Sequence, residues 1–170
     1  MLIYKQLKGF IMASSISPIQ SIARFIMLGV LMLTSTAGMV YATPENVSVN
    51  VWKDPNCGCC SDWVKHLESQ GFTVQSINQG NQKVRAKLGV SPQHGSCHTA
   101  VVEGYVIEGH VPAADIRRLL LEKPAALGLA VPGMPIGSPG MDGEAYGDRR
   151  DKFNVLLIQK NGQSTVFSAY

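Results

Sequence analysis

A chain of 170 residues, 45% of them hydrophobic, suffices for one buried core and is short for two full domains. Lys5, Lys8 and Arg24 account for the whole formal excess of +3, which leaves 12 basic and 12 acidic side chains beyond residue 42. That even balance, with no basic run and no interleaving of aromatic and basic residues, argues against a nucleic-acid partner.

Those three residues are the only charges before position 43, and the apolar run Phe25 to Leu33 ends in small residues, the pattern of a secretory signal. Val40-Tyr41-Ala42 suits cleavage before Thr43. The expected organisation is a signal over 1–42 and one exported, periplasmic domain over 43–170, with Met12 as an alternative start. An uncleaved anchor is the rival, but the apolar stretch falls short of the roughly 20 residues that cross a bilayer, so no stable span is expected after cleavage.

Val47, Val49 and Val51 alternate with Ser48 and Asn50, which predicts a strand ending near Trp52. After the loop Lys53-Asp54-Pro55-Asn56, a cysteine cluster opens a helix carrying Trp63, Val64 and Leu67 on one face until Gly71. Phe72 to Ile77 is a second strand, and Asn81 is expected to cap a helix reaching Leu88. Cys97–Val102 and Tyr105–His110 form a hairpin turning at Glu103-Gly104. Pro112 begins a helix with Ile116, Leu119 and Leu120 on one face. Leu127 to Gly147 is rich in Gly and Pro without a period, and Phe153 to Phe167 reads as a hairpin turning at Asn161-Gly162. The expected fold is α/β: a thioredoxin-like mixed sheet flanked by helices, with an added C-terminal loop and β-hairpin.

All four cysteines lie beyond the signal, in a compartment where thiols tend to become disulfides. Cys57-Gly58-Cys59-Cys60 holds a C-x-x-C pair, Cys57 and Cys60, with Cys59 inserted. At a helix start, backbone N–H groups and the helix dipole favour the thiolate, which attacks disulfides and binds soft metals. Dithiol exchange needs two sulfurs, so Cys59 is surplus to it. Adjacent helical residues project about 100° apart, which suits three crowded sulfurs to bridging several ions of Cu(I) or Zn better than to enclosing one. Two stapling disulfides are the structural alternative, for which three cysteines in four residues are poorly placed.

In the thioredoxin arrangement Cys97 faces the cysteine helix. A two-residue turn at Glu103-Gly104 pairs Val102 with Tyr105 and sets Cys97 opposite His110, whereas a slip of one residue pairs His98 with His110. Either register brings an imidazole beside the fourth thiol. His98 and His110 are therefore candidate ligands, while His66 and His94 read as ordinary polar residues. Two Pro-Gly-Met units end in Met134 and Met141, the only methionines beyond the signal. Methionine is commonly core filler, but a loop so rich in Gly and Pro offers no regular apolar face, and a thioether binds Cu(I) without a proton to lose.

Val51-Trp-Lys-Asp-Pro-Asn-Cys-Gly-Cys-Cys60, Ser96-Cys-His-Thr-Ala100, Glu108-Gly-His-Val-Pro112 and Gly128-Leu-Ala-Val-Pro-Gly-Met-Pro135 with Gly137-Ser-Pro-Gly-Met141 together resemble the CopG-type periplasmic copper-resistance family, over roughly Val47 to Phe167. The resemblance implies a thioredoxin-like fold, a thiolate-bridged copper centre and a copper oxidoreductase role. It carries over to Cys57, Cys59, Cys60 and Cys97, with His98, His110, Met134 and Met141 as neighbouring candidates. Ser96-Cys97-His98 stands where thioredoxins usually place a cis-proline, which argues against general disulfide exchange. The expectation is a copper-binding protein holding more than one Cu(I) per chain, with Cys57 and Cys60 as its redox pair and other periplasmic copper-handling proteins as partners. The alternatives are a passive copper chaperone or sponge and a metal-free thiol-disulfide oxidoreductase.

Overall fold

The computed structural model describes residues 47–170, so the expected signal over 1–42 lies outside the described residues. One sheet of seven strands organises the domain, in the order β2-β1-β3-β4-β5-β6-β7. The strands are β1 Ser48–Lys53, β2 Thr73–Ile77, β3 His98–Val102, β4 Tyr105–Glu108, β5 Gly128–Ala130, β6 Asn154–Ile158 and β7 Ser164–Ala169; the helices are α1 Gly58–Ser69, α2 Gln82–Lys87 and α3 Ala113–Glu122. β1 and β2 run parallel, as do β4 and β5, and every other neighbouring pair is antiparallel. The fold is therefore the expected mixed α/β sheet with helices and an added C-terminal hairpin.

Period-two geometry sends adjacent strand residues to opposite faces. Val49, Val51, Ala100, Ile107 and Leu129 meet Trp63 and Leu67 of α1 and Ile116 and Leu119 of α3 in the main core. Val106, Ala130 and Ile158 gather with Val90 in a smaller cluster. Trp63 also donates its Nε1–H to the Val111 carbonyl at 2.9 Å, which locks α1 to the segment leading into α3. The β3–β4 turn takes positive φ at both Glu103 and Gly104, as a two-residue hairpin with the right twist requires. Its register is the first of the two expected, with Val102 opposite Tyr105 and Thr99 opposite Glu108.

Two expectations change. The stretch from Leu127 to Gly147 contains β5, a strand of only three residues, all buried and paired on both sides, so it has no polar alternation to betray it. It begins at Gly128 because a Cβ there would run into the backbone of Val106. Asn81 holds the N-cap position of α2 but makes no capping bond with its side chain. Its Nδ2 donates instead to the Ser96 carbonyl and to Thr99 Oγ1, each at 3.2 Å.

Candidate metal centre

The β1–α1 junction sets the cysteine cluster. Cys57 is the N-cap of α1, and Cys59 and Cys60 lie in its first turn, so they project in different directions: Cys60 is fully buried and Cys59 half-buried. Cys57 and Cys60 form a disulfide, while Cys59 and Cys97 are free thiols. Cys59 Sγ stands 3.6 Å from Cys57 Sγ, and Cys60 Sγ is 3.7 Å from the Cys97 carbonyl. The four sulfurs all fall within 4.8 Å of one another although Cys97 enters from the start of β3. The stapling alternative does not describe this arrangement, since the bridge closes within one turn and leaves Cys97 unpaired.

Cys97 is also the corner of a second group. Its Sγ lies 3.0 Å from His110 Nε2 and 3.3 Å from His98 Nδ1, and both imidazoles are fully buried. The partner of His110 Nδ1 is the Pro139 carbonyl at 2.8 Å. A carbonyl can only accept, so Nδ1 carries the proton and the neutral ring turns the Nε2 lone pair toward Cys97. His98 packs between Trp63, at 4.3 Å between ring centroids, and His110, at 4.9 Å. Its Nε2 is buried without a hydrogen-bond partner, a costly arrangement, while Nδ1 is the ring nitrogen that faces Cys97. The two expected histidines thus reach Cys97 by different routes, His98 as its chain neighbour and His110 across the hairpin.

Burial pushes the Cys97 thiol up to about 12, with the neighbouring Cys59 adding to the effect. Before metal binds, Cys97 is a neutral thiol, and His110 Nε2 is placed to accept its proton. Burial likewise lowers the pKa of His66, His98 and His110. A histidine whose folded pKa is depressed must bind protons on unfolding. Stability is therefore full above the unfolded value near 6.5 and falls as pH drops below it until each folded pKa is reached, least for the half-buried His66. Melting curves of the metal-free protein should show Tm falling steeply from pH 7 to pH 5. His66→Gln should flatten that slope, because His66 Nε2 accepts the Ala113 N–H at 3.2 Å only while neutral.

The two Pro-Gly-Met units go to different places. Gly133 exchanges backbone bonds with the Cys97 neighbourhood: its N–H donates to Gly95, and its carbonyl accepts from Ser96 Oγ. Met134, 52% exposed, thereby lines with Cys97, Ser96 and Arg85 an open cavity of about 340 Å³. Met141 is 7% exposed and accepts from the Tyr146 hydroxyl at 3.2 Å, so the loop buries this side chain. Gly140, just before it, lies against the cysteine helix. A Cβ at that position would come within 2.6 Å of the Cys59 carbonyl and 2.7 Å of the Trp63 nitrogen. His66 and His94 are in hydrogen bonds with Ala113 N and Ser164 Oγ and stand in neither candidate metal group.

Two solved structures, titled copper resistance protein copG, Form 1 and Form 2, are each 47% identical in sequence with a TM-score of 0.68. Each match covers 74% of this chain, and 98% and 99% of the respective solved chain. The chain belongs to the CopG family. Residues 94–141 also match the family model described as a protein of unknown function, DUF411, while no curated protein matches. That segment of the CopG-family chain contains Cys97, His98, His110, Met134 and Met141 but not the Cys57–Cys60 cluster. A copper-resistance family and a cluster of four sulfurs agree with copper binding, since soft thiolates select Cu(I).

Arg85 and Glu108, unassigned from the sequence, and Asn81, expected there only as a helix cap, surround the Cys97 segment from α2 and β4. The signal available was Glu108 itself, a carboxylate at the end of an otherwise apolar strand, just before Gly-His-Val-Pro.

Proposed function

We propose that the chain is a periplasmic copper-handling protein in which Cys57, Cys59, Cys60 and Cys97 hold more than one Cu(I) through bridging thiolates. The observation that carries this reading is the convergence of all four sulfurs within 4.8 Å. Four thiolates so close repel one another, and shared monovalent ions relieve that repulsion. His98 and His110 complete the donor set beside Cys97. Met134 acts as the outer ligand in the open cavity through which copper reaches Cys97; the buried Met141 is the less accessible of the two thioethers. The signal reading of residues 1–42 supports export, and no helix among the described residues is long and apolar enough to cross a membrane. Other periplasmic copper-handling proteins are the partners for delivery.

The Cys57–Cys60 dithiol gives the centre an electron reserve, of which the disulfide is the spent form. Reduced Cys57 and Cys60 lose two protons and two electrons to form the disulfide, and two Cu(II) accept those electrons to become two Cu(I). The test is to add two equivalents of Cu(II) to the anaerobic, fully reduced protein. Loss of the Cu(II) paramagnetic signal with one Cys57–Cys60 disulfide formed per chain is expected. Persistence of the signal over intact thiols would leave a passive chaperone or sponge. The disulfide also favours, as a second reading, a metal-free thiol-disulfide oxidoreductase; copper-free protein after anaerobic purification from copper-replete cells would favour it.

A further inference from the structure

Residues 96–99 hold the fourth cysteine at the head of β3, contain no proline to fix their backbone, and yet are gripped from both ends by side chains other than the candidate ligands. Glu108 is completely buried. One carboxylate oxygen accepts the Ser96 N–H at 2.8 Å and an Arg85 N–H at 3.3 Å, and the other accepts the Thr99 hydroxyl at 2.5 Å. The same Arg85 nitrogen donates to the Ser96 carbonyl at 3.1 Å, which Asn81 also reaches. Ser96 is thus held at both its N–H and its C=O, and Thr99 at its hydroxyl, with Cys97 and His98 between them. Gly109 lets the next turn close on this segment, because a Cβ there would collide with Ser96 and the Val131 carbonyl.

We propose that Arg85, Glu108 and Asn81 form a clamp of positioning residues, centred on the buried Glu108 carboxylate, that fixes Cys97 Sγ toward the other three sulfurs. This inference rests on the four-cysteine copper centre. An ion pair with a buried carboxylate is no efficient source of stability compared with apolar packing, but this one imposes direction, since both Glu108 oxygens and one Arg85 nitrogen are each committed to partners on residues 96–99. With the clamp loosened, Cys97 still exists but samples orientations in which its sulfur no longer bridges.

The test uses protein expressed from the full-length chain. Glu108→Gln keeps volume and one accepting oxygen but removes the charge facing Arg85. Arg85→Lys keeps the charge and the donors but loses the planar group that holds the donating nitrogen in place, and Arg85→Met removes charge and donors. Two quantities are measured on reduced protein: the ratio of iodoacetamide alkylation rates at Cys97 and Cys59, resolved by mass spectrometry, and Cu(I) retention against a chromogenic Cu(I) chelator. We expect the alkylation ratio to change at least threefold and Cu(I) to be held at least tenfold more weakly in Arg85→Met and Glu108→Gln, with partial rescue in Arg85→Lys. Arg85 is partly exposed, so the two Arg85 variants decide the matter if Glu108→Gln does not fold. Wild-type alkylation ratio and copper retention in folded Arg85→Met would overturn the clamp while leaving the copper centre intact. Full copper retention in Cys97→Ser would instead remove the centre on which the clamp acts.

Discussion

Cys97→Ser yields a folded protein that binds fewer Cu(I) ions than its parent and holds the remainder at least about tenfold more weakly, equivalent to ~1.4 kcal/mol. The fold survives because Cys97 belongs to no disulfide, and a serine hydroxyl can still donate to His110 Nε2 across the present 3.0 Å contact. The copper is lost because a hydroxyl at neutral pH supplies no thiolate to bridge. Had Cys97 been a structural half-cystine, the substitution would cost about 2 to 5 kcal/mol and copper would fall only with folding. Urea unfolding of metal-free protein, set beside anaerobic copper content, separates these outcomes. The Cys57–Cys60 disulfide should still close in the variant, since both sulfurs sit on the β1–α1 side of the centre.

Gly140→Ala should destabilise the domain by about 3 kcal/mol and impair copper binding as well. Gly140 has φ +83°, where a Cβ costs about 1 to 2 kcal/mol by itself. The Cβ would also press on the Cys59 carbonyl and the Trp63 nitrogen, which are backbone atoms of α1 and cannot rotate aside, so the loop must lift. Lifting it withdraws the Pro139 carbonyl from His110 Nδ1 and releases the imidazole whose other nitrogen faces Cys97. Gly143→Ala is the matched control, with φ −75° and open space around its Cβ. It should change stability by less than about 0.5 kcal/mol. Equal stabilities for the two alanine variants would mean that the loop does not bear on the cysteine helix.

Local signals carried the part of the site that the sequence disclosed. Alternating valines announced β1, the Glu103-Gly104 turn offered two registers of which the hairpin takes the one pairing Val102 with Tyr105, and the crowding of Cys57, Cys59 and Cys60 argued against distant stapling. The remainder depends on contacts that no short window contains. β5 is too short and too buried to alternate. Met141 sits in a loop whose Gly and Pro content suggests exposure, but the loop folds back and buries that side chain. Glu108 meets Arg85 from 23 positions away, and a single carboxylate in an apolar strand has no period from which a partner could be read. Asn81 stands where a helix cap belongs, and tertiary partners outcompeted the local capping bond.

The central claim is that four thiolates form one centre for several copper ions. The most direct measurement is metal analysis of the fully reduced protein, loaded and purified anaerobically, combined with X-ray absorption at the copper edge. A four-thiolate centre gives more than one Cu(I) per chain, a coordination sphere dominated by sulfur, and a copper–copper scattering path that disappears in Cys97→Ser. A reproducible single copper per fully reduced chain, without metal–metal scattering, would contradict it.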